Sequence, residues 1–295
     1  MEREYTLGLY EKSMPSDLSW EQKMLSAKAA GFDYIEISID ETDTKLARLD
    51  MSKEERLELV RLMMVTGVPI RSMCLSGHRR YPLGSNDPEV EKRGMEIMEK
   101  AIQLAEDLGI RIIQLAGYDV YYEDSSFETK KRFLKNLKKA THMAEKAGVV
   151  LGFETMETEF MNTVEKAMKY TTLVDSPYLN VYPDIGNITN AAIEYKNDVL
   201  EDMMIGKGHL CAMHLKETVP GKFREIPFGT WHVNFKEAIA LAWQLGIRKY
   251  VTEFWYVGNE NWKEDLVFAH DMFEKMLDEQ MTGKRTYLRT FLSDP

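Results

Sequence analysis

LGIRIIQLAG, residues 108–117, contains the unit that decides the fold. It ends a charged amphipathic stretch with a leucine and a glycine and continues as a short apolar run. Glycine is favoured at a helix C-terminus because it adopts the left-handed capping conformation at little cost. An apolar run rich in Val, Ile and Tyr indicates a strand that is buried on both faces. The stretch therefore predicts a helix, a glycine cap at Gly109 and a buried strand.

The same unit recurs along the chain. It reads AGFDYIEISID at 30–40, TGVPIRSMCLS at 66–76, AGVVLGFET at 147–155 and LGIRKYVTEFW at 245–255. The glycines at 31, 67, 109, 148 and 246 are separated by 36, 42, 39 and 98 residues. A strand–helix unit of this kind needs at least ~30 residues, so the last gap holds more than one unit.

Three further strands complete a set of eight. LNVYPD from Leu179 and HLCAMHL from His209 lie in the long gap, and TLGLY lies near the start. Helical stretches separate the strands, for instance 88–108, 128–146, 163–174 and 235–245. This alternation predicts an α/β fold, a (β/α)₈ TIM barrel that forms one domain over 1–295 with a short C-terminal extension at about 282–295. A doubly wound sheet is the alternative, but the sequence has no GxGxxG turn.

The last four strands end in side chains that can bind a metal. They are Glu154 in GFE, Asp184 in YPD, His214 in MHL and Glu253 in VTEF. Each alone is more often a core or surface polar group, but barrel enzymes place their chemistry at these strand ends. Three carboxylates and an imidazole at one mouth would repel unless a cation lay between them. The pattern favours a divalent metal site, and the O₃N set suits Mn²⁺, Mg²⁺, Co²⁺ or Zn²⁺.

Composition narrows the class of protein. The 295 residues carry 38 basic and 48 acidic side chains, a formal charge of −10, which argues against broad nucleic-acid binding. The N-terminus has no apolar signal-peptide region, and no apolar run is long enough to cross a bilayer. Two cysteines inside apolar runs favour buried thiols in a reducing compartment. We expect a cytoplasmic enzyme with no membrane or nucleic-acid partner.

The longer motifs resemble a known family. They are LGLYEK from Leu7, SIDETD from Ser38, SMCLSGHRRYPLGS from Ser72, QLAGYDVYYE from Gln114, YPDIGN from Tyr182 and PGKFREIPFG from Pro220. With them, nearly the whole chain is similar to the L-ribulose-5-phosphate (L-xylulose-5-phosphate) 3-epimerases of pentose and ascorbate breakdown. These are xylose-isomerase-like barrels. The resemblance implies metal ligation by Glu154, Asp184, His214 and Glu253, with Zn²⁺ or Mn²⁺ as the first expectation and Mg²⁺ or Co²⁺ as others.

The implied reaction is metal-dependent 3-epimerisation of a ketopentose 5-phosphate through an enediolate. Glu154 and Glu253, on strands five and eight, would serve as the opposed base and acid. The sugar phosphate, a small-molecule partner, would be held by charged and polar side chains after the strands, for which the candidates are His78, Arg79, Asn187, Lys216 and Arg224. Glu11 and Glu36 also lie near strand ends and are expected to line the mouth.

Two departures from the family pattern concern the substrate. FGTWHVNF, with Thr230 to Asn234, replaces a Gly-Glu-Gly-like turn with an Asp, and Glu217 stands where Asp is usual. The first could alter the loop that closes over the sugar. An aldose–ketose isomerase on the same barrel remains the alternative, and an endonuclease IV-like nuclease or a non-catalytic sugar-binding protein fits less well. The sequence leaves the native metal, the ketose, the pathway and a homodimer open.

Overall fold

Strands and helices alternate throughout the computed structural model, which describes residues 3–283. The strands are β1 Thr6–Tyr10, β2 Tyr34–Ile39, β3 Ile70–Leu75, β4 Ile112–Ala116, β5 Val150–Glu154, β6 Leu179–Tyr182, β7 Met213–Leu215 and β8 Lys249–Thr252. The helices are α1 Trp20–Ala29, α2 Asp43–Leu46, α3 Lys53–Thr66, α4 Pro88–Leu108, α5 Phe127–Ala147, α6 Val164–Val174, α7 Ile185–Tyr195, α8 Val199–Ile205, α9 Phe235–Gln244 and α10 Trp262–Met281. Short 3₁₀ helices cover Glu11–Ser13, Ala47–Asp50 and Gly77–Arg79.

The eight strands form one parallel sheet that curls into a nearly closed barrel. Their order is β6-β5-β4-β3-β2-β1-β8-β7. The two ends of that order meet through single parallel bridges, Val181 to Leu210 and Asp184 to His214. Parallel strands with helical crossovers place all their C-terminal ends on one face. The predicted α/β (β/α)₈ barrel is confirmed.

The repeated glycines occupy the predicted positions between helix and strand. Gly67, Gly109 and Gly148 cap α3, α4 and α5 with φ of 75°, 74° and 65°. Gly31 and Gly246 have φ of 97° and 92°. Only glycine adopts these values without a steric penalty. Of the strands that follow, β2 and β4 are buried along their whole length, as their apolar runs predicted, and β3, β5 and β8 are buried except for one residue near the start.

The segment before β7 differs from the sequence prediction. Of the predicted strand at 209–215, only Met213–Leu215 is a regular strand. The preceding residues run beside β6 through two backbone hydrogen bonds, from Val181 N–H to His209 O (2.8 Å) and from Cys211 N–H to Val181 O (3.0 Å). This contact forms one of the two bridges that close the barrel, and no regular strand continues from it.

Some predictions lie at the edge of the described residues or beyond it. Of the proposed extension at about 282–295, only the first two residues are described. Within residues 3–283, no helix is long and apolar enough to span a membrane. Cys74 is buried, as expected, but Cys211 is only partly buried, and both are free thiols.

Candidate active site

Four side chains converge at the C-terminal face of the barrel. Glu154 ends β5, Asp184 is the N-cap of α7 just after β6, His214 lies in β7, and Glu253 directly follows β8. Their depth is set by backbone pairing, since Asp184 bridges His214 and Glu253 N–H donates to the carbonyl of Leu215 at 2.9 Å. All four side chains are buried. The structure thus brings together the four strand-end residues selected from the sequence.

The imidazole of His214 lies among the three carboxylates. Its Nδ1 is 3.1 Å from Glu154 Oε1 and 3.3 Å from Glu253 Oε2. The same atom is 3.8 Å from Asp184 Oδ2. One ligand atom from each of the four residues lies within 4.8 Å of all the others. This is a compact O₃N set of the kind that binds a divalent ion.

Burial and the charges of the neighbouring groups shift the pKa values of these four side chains in different directions. Burial and the charge of Glu253 raise the pKa of Glu154, although His214 opposes them. Burial also raises the pKa of Asp184 well above its usual value, against the effect of Lys216. The pKa of Glu253 falls well below its usual value, because Lys216 and His214 outweigh its burial. Burial alone would lower the pKa of His214, but Glu36 and Glu253 raise it well above the ordinary range.

Lys216 supplies one positive charge for the three carboxylates. Its Nζ lies 2.8 Å from Asp184 Oδ2 and 3.4 Å from Glu253 Oε2. Neither contact has the geometry of a hydrogen bond, so both oxygens are buried without a hydrogen-bond partner among the described residues. Buried polar atoms are normally satisfied, and those that are not call for an explanation. A divalent cation among these oxygens and His214 Nδ1 fits the donors and their excess negative charge.

Neighbouring polar groups hold the carboxylates in place. Gln114 on β4 donates from Nε2 to Glu154 Oε2. Asp184 Oδ1 accepts the backbone N–H of Asn187 at 2.8 Å, and the amide nitrogen of Asn187 donates to Thr155 O at 2.7 Å. The remaining amide oxygen of Asn187 is buried and has no hydrogen-bond partner in the described residues. The residue lines a cavity that Glu154 and Glu253 also line. It is therefore free to accept a hydrogen bond from a bound molecule.

A second charged group lines the same cavity. Arg224 Nη2 donates to Glu157 Oε1 at 2.9 Å, and a guanidinium nitrogen of Arg79 is 3.8 Å from that oxygen. The hydroxyl of Tyr118 donates to Glu157 Oε2 at 2.7 Å. Arg79, Glu157, Lys216 and Arg224 all line the cavity with Glu154 and Glu253. The predicted cations Arg79, Lys216 and Arg224 are thus placed beside the carboxylates.

Three residues expected at the mouth of the barrel have other surroundings in the structure. His78 does not line the cavity: its Nε2 hydrogen-bonds the Gly94 carbonyl of α4 at 3.0 Å, because the 3₁₀ turn after β3 directs the ring against that helix. Glu11 does not line the cavity either, since three cations, Lys23, Lys45 and Arg48, hold it in a buried ion cluster. Glu36 lies within β2, buried in the barrel, and is bonded to His214.

Glu157 and Gln114 were not selected from the sequence. Glu157 lies three residues beyond Glu154 in the loop after β5, and Gln114 lies in β4 inside a motif of the family resemblance. Polar residues at or just after a barrel strand were the available signal in both cases. The partners of Glu157 are Tyr118 and Arg224, which come from other loops, and the partner of Gln114 is Glu154 on the neighbouring strand. The pattern along the chain does not reveal these pairings.

The two departures from the family pattern contact each other. Glu217 Oε2 accepts the backbone N–H of Trp231 at 3.2 Å, and Glu217 Oε1 accepts that of Val233 at 3.0 Å. Neither Glu217 nor the segment from Thr230 to Asn234 lines the cavity. The unusual loop is therefore held by the unusual carboxylate, beside the site.

Comparison with known proteins agrees with the architecture. The family profile of the xylose isomerase-like TIM barrel matches residues 25–272. Solved structures of an L-ribulose 3-epimerase and of a D-tagatose 3-epimerase-like protein superpose with TM-scores of 0.76 and 0.77, each at 17% identity. They cover 99% and 95% of this chain, respectively, and 100% of their own. At that identity the superpositions show the fold alone.

Closer relatives give the family. The L-ribulose-5-phosphate 3-epimerase UlaE of Escherichia coli O17:K52:H18 (strain UMN026 / ExPEC) is 44% identical over 272 residues, covering 92% of this chain and 94% of the relative. The enzyme of the same name from Salmonella paratyphi C (strain RKS4594) is 45% identical over the same shares. The chain belongs to the L-ribulose-5-phosphate 3-epimerase family, a group of carbohydrate isomerases built on the xylose isomerase-like TIM barrel.

Proposed function

We propose that the protein is a metal-dependent 3-epimerase that interconverts L-ribulose 5-phosphate and L-xylulose 5-phosphate. The observation that carries the proposal is the convergence of Glu154 and Glu253, which line one cavity, with Asp184 and His214. The names of the relatives support the choice of ketose phosphate. Two carboxylates that face one buried space provide the base and the acid that epimerisation requires.

The proposed metal ligands are Glu154, Asp184, Glu253 and the Nδ1 atom of His214. Hard oxygen donors with one imidazole suit Mn²⁺, Zn²⁺, Mg²⁺ or Co²⁺, and we expect Zn²⁺ or Mn²⁺. A bound divalent ion would supply Lewis acidity, which makes a proton beside a carbonyl easier to remove.

Glu154 and Glu253 would move the proton at C3 of the sugar. One carboxylate removes it from one face to give an enediolate, and the other returns a proton to the opposite face. The two residues stand on β5 and β8, which are three strands apart along one arc of the barrel and five along the other. They therefore approach the cavity from different sides, as inversion at a single carbon requires.

The charged side chains of the same cavity would bind the rest of the substrate. Arg79 and Arg224 can receive the phosphate, because guanidinium groups bind its oxygens bidentately. In the described structure both arginines contact Glu157. A bound phosphate would replace Glu157 as their partner. The free amide oxygen of Asn187 can accept a substrate hydroxyl. Lys216 would contact the sugar oxygens, which its position close to Asp184 and Glu253 supports.

We further infer that a small sugar phosphate is the partner and that nucleic acid is not, which the formal charge of −10 supports. A cytoplasmic location and a homodimer stay predictions of the same kind. Size-exclusion chromatography with light scattering will test the homodimer.

The test is a panel of pentulose 5-phosphates incubated in D₂O and followed by NMR. We expect interconversion of the two L-pentulose 5-phosphates with deuterium at C3. Deuterium at C1 with an aldose product would instead identify an aldose–ketose isomerase. Exhaustive chelation should abolish turnover, and one divalent ion per chain should restore it. Full activity in protein shown by elemental analysis to be metal-free would contradict the metal-dependent proposal.

A further inference from the structure

Glu36 is a charged side chain inside the barrel that the proposed reaction does not use. It lies in the middle of β2 and is fully buried. Its Oε2 accepts hydrogen bonds from Ser72 Oγ at 2.7 Å and from the Tyr182 hydroxyl at 3.0 Å. Its Oε1 lies 2.6 Å from His214 Nε2. Four strands, β2, β3, β6 and β7, thus contribute to one hydrogen-bonded group beneath the cavity.

This arrangement determines which imidazole nitrogen keeps its proton when a cation binds among the carboxylates. A carboxylate oxygen only accepts hydrogen bonds, so His214 Nε2 must donate to Glu36. The other nitrogen, Nδ1, is 3.1 Å from Glu154 Oε1 and 3.3 Å from Glu253 Oε2, and by the same rule it donates to Glu154 when no cation is bound. A cation among these carboxylates would take the place of that proton, while Glu36 keeps the proton on Nε2. A neutral imidazole with its proton on Nε2 presents its lone pair from Nδ1 to an ion among the carboxylates.

Other contacts hold the ring but cannot choose between its nitrogens. The ring of Tyr182 packs edge-on against His214 with centroids 4.7 Å apart. Such packing fixes the ring plane and leaves the position of the proton undetermined. Glu36 is the group at hydrogen-bond distance from Nε2 in the described residues. The side-chain partners of Glu36 are Ser72, Tyr182 and His214, all buried in the barrel, so its link to the site runs through His214.

We propose that Glu36 is a positioning residue, which holds His214 with its proton on Nε2 so that Nδ1 is the metal ligand. The proposal rests on the metal site of the proposed function. Groups that orient a metal-binding histidine through its second nitrogen typically change metal affinity 10–100-fold when they are removed. Glu36 is therefore expected to control the affinity for the ion without touching ion or substrate.

The experiment measures metal affinity in Glu36→Leu and Glu36→Gln by competition with a chromophoric chelator for Zn²⁺ and Mn²⁺. Glu36→Leu removes the acceptor, and we expect its dissociation constant to rise 10- to 100-fold. Glu36→Gln keeps a neutral acceptor, and its amide can donate to the hydroxyls of Ser72 and Tyr182, so we expect an intermediate loss. It also keeps the question testable if the leucine variant does not fold.

Asp202→Asn is the matched control. Asp202 is another buried carboxylate, whose oxygens accept the backbone N–H groups of Val164 and Glu165 at the start of α6. The variant should lose stability and keep the metal affinity of the parent. Equal affinity in the parent and both Glu36 variants would overturn the positioning role and leave the proposed epimerase in place. A parent protein that binds no divalent ion would overturn both.

A second readout identifies the ligand atom. In Zn²⁺-loaded protein labelled with ¹⁵N-histidine, we expect His214 to show a metal-bound Nδ1 and a protonated Nε2. Glu36→Leu should lose this single species. Zinc bound through Nε2 in the parent protein would contradict the proposal, whatever the affinities.

Discussion

Glu11 and Glu253 are both buried carboxylates at the C-terminal end of a barrel strand, but their surroundings differ. Glu11 accepts hydrogen bonds from Lys23 at 2.9 Å, from both terminal nitrogens of Arg48 at 2.6 and 2.7 Å, and from the backbone of Ser38 at 2.9 Å. Lys45 also contacts it. Burial would raise the pKa of Glu11, but Arg48 and the two lysines hold it well below the usual range. The cluster has no unsatisfied carboxylate oxygen.

Glu253 belongs to a cluster with the opposite balance. Three carboxylates share His214 and one ammonium group, and Glu253 Oε2 and Asp184 Oδ2 have no hydrogen-bond partner in the described residues. Both clusters are buried and strongly shift pKa values. What separates them is the excess of carboxylates over cations beside a cavity, with oxygens that lack a hydrogen bond, which the Glu11 cluster does not have. Buried charge alone therefore does not identify a functional site, since structural ion clusters perturb pKa values as well.

The largest expected effect is the loss of activity when one carboxylate of the Glu253 cluster is neutralised. Glu253→Gln keeps the shape and one metal-binding oxygen but removes the basicity, so we expect kcat to fall by ~10²–10⁴-fold. The variant should still admit solvent deuterium at C3 of the epimer whose proton Glu154 takes, and Glu154→Gln should do so for the other epimer. Lys216 keeps Asp184 as a partner, so stability should change little. A metal-loaded variant that loses less than about tenfold would contradict the two-carboxylate scheme.

The reverse change breaks the Glu11 cluster. Glu11→Gln leaves three cations around a neutral amide, and removing one partner of a buried ion pair typically costs about 3–5 kcal/mol of unfolding free energy. Urea denaturation will measure it, and kcat of the folded variant should fall far less than in Glu253→Gln. Because the folded pKa is depressed, the stabilisation by Glu11 is present above its unfolded pKa of about 4.5 and is lost as pH falls towards the folded value. A stability equal to that of the parent at pH 7 would contradict the assignment.

The sequence predicts the barrel and the four strand-end side chains because both follow from local pattern. Five of the eight strands come shortly after one of the repeated glycines, and Glu154 and Glu253 stand at the ends of two of these strands. It does not distinguish Glu11 from Glu253, because the cations that neutralise Glu11 come from α1, α2 and the 3₁₀ turn after α2. That pairing depends on how separate helices pack against the barrel.

The same limit applies to the surroundings of His78, which the sequence did not predict. Three basic residues, His78 to Arg80, follow β3. From the sequence alone, each is equally consistent with exposure to solvent, phosphate binding or packing against a helix. The structure places Arg79 in the cavity and His78 against α4, where the carbonyl of Gly94 is available. The loop that carries His78 packs closely against α4 at Gly94. A Cβ atom at Gly94 would lie 2.5 Å from the Tyr81 carbonyl oxygen, so glycine is needed there. Such contacts are set by tertiary structure.

His78 shows the effect of burial without the charged partners that surround Glu11 and Glu253. Burial lowers its pKa to about 4, and the unfolded chain restores about 6.5. The unfolded state therefore binds the proton first as pH falls below 6.5, and stability decreases. Between pH 7 and pH 5 the loss is about 2 kcal/mol, at 1.36 kcal/mol per pH unit. His78→Gln, which keeps a donor for Gly94, should lose about 2 kcal/mol less than the parent over this interval in urea denaturation. Equal losses would show that His78 is protonated in the fold.

The smallest effect concerns Arg224 and Glu157, an ion pair at the solvent-exposed side of the cavity. Arg224 is 43% exposed, so water and salt weaken its charge compared with the buried cations around Glu11. A charge-assisted hydrogen bond is worth about 1.5–3 kcal/mol, and the exposure places Arg224 at the lower end, roughly tenfold. Arg224→Ala should therefore raise KM about tenfold for the ketose 5-phosphate and leave KM for the unphosphorylated ketose unchanged.

Arg80→Ala is the control, because Arg80 is an exposed arginine paired with Asp43 outside the cavity. Equal changes on the two substrates would mean that Arg224 does not bind the phosphate. A weaker effect at high salt would confirm that this contact, unlike the ion pairs of Glu11, is screened by solvent.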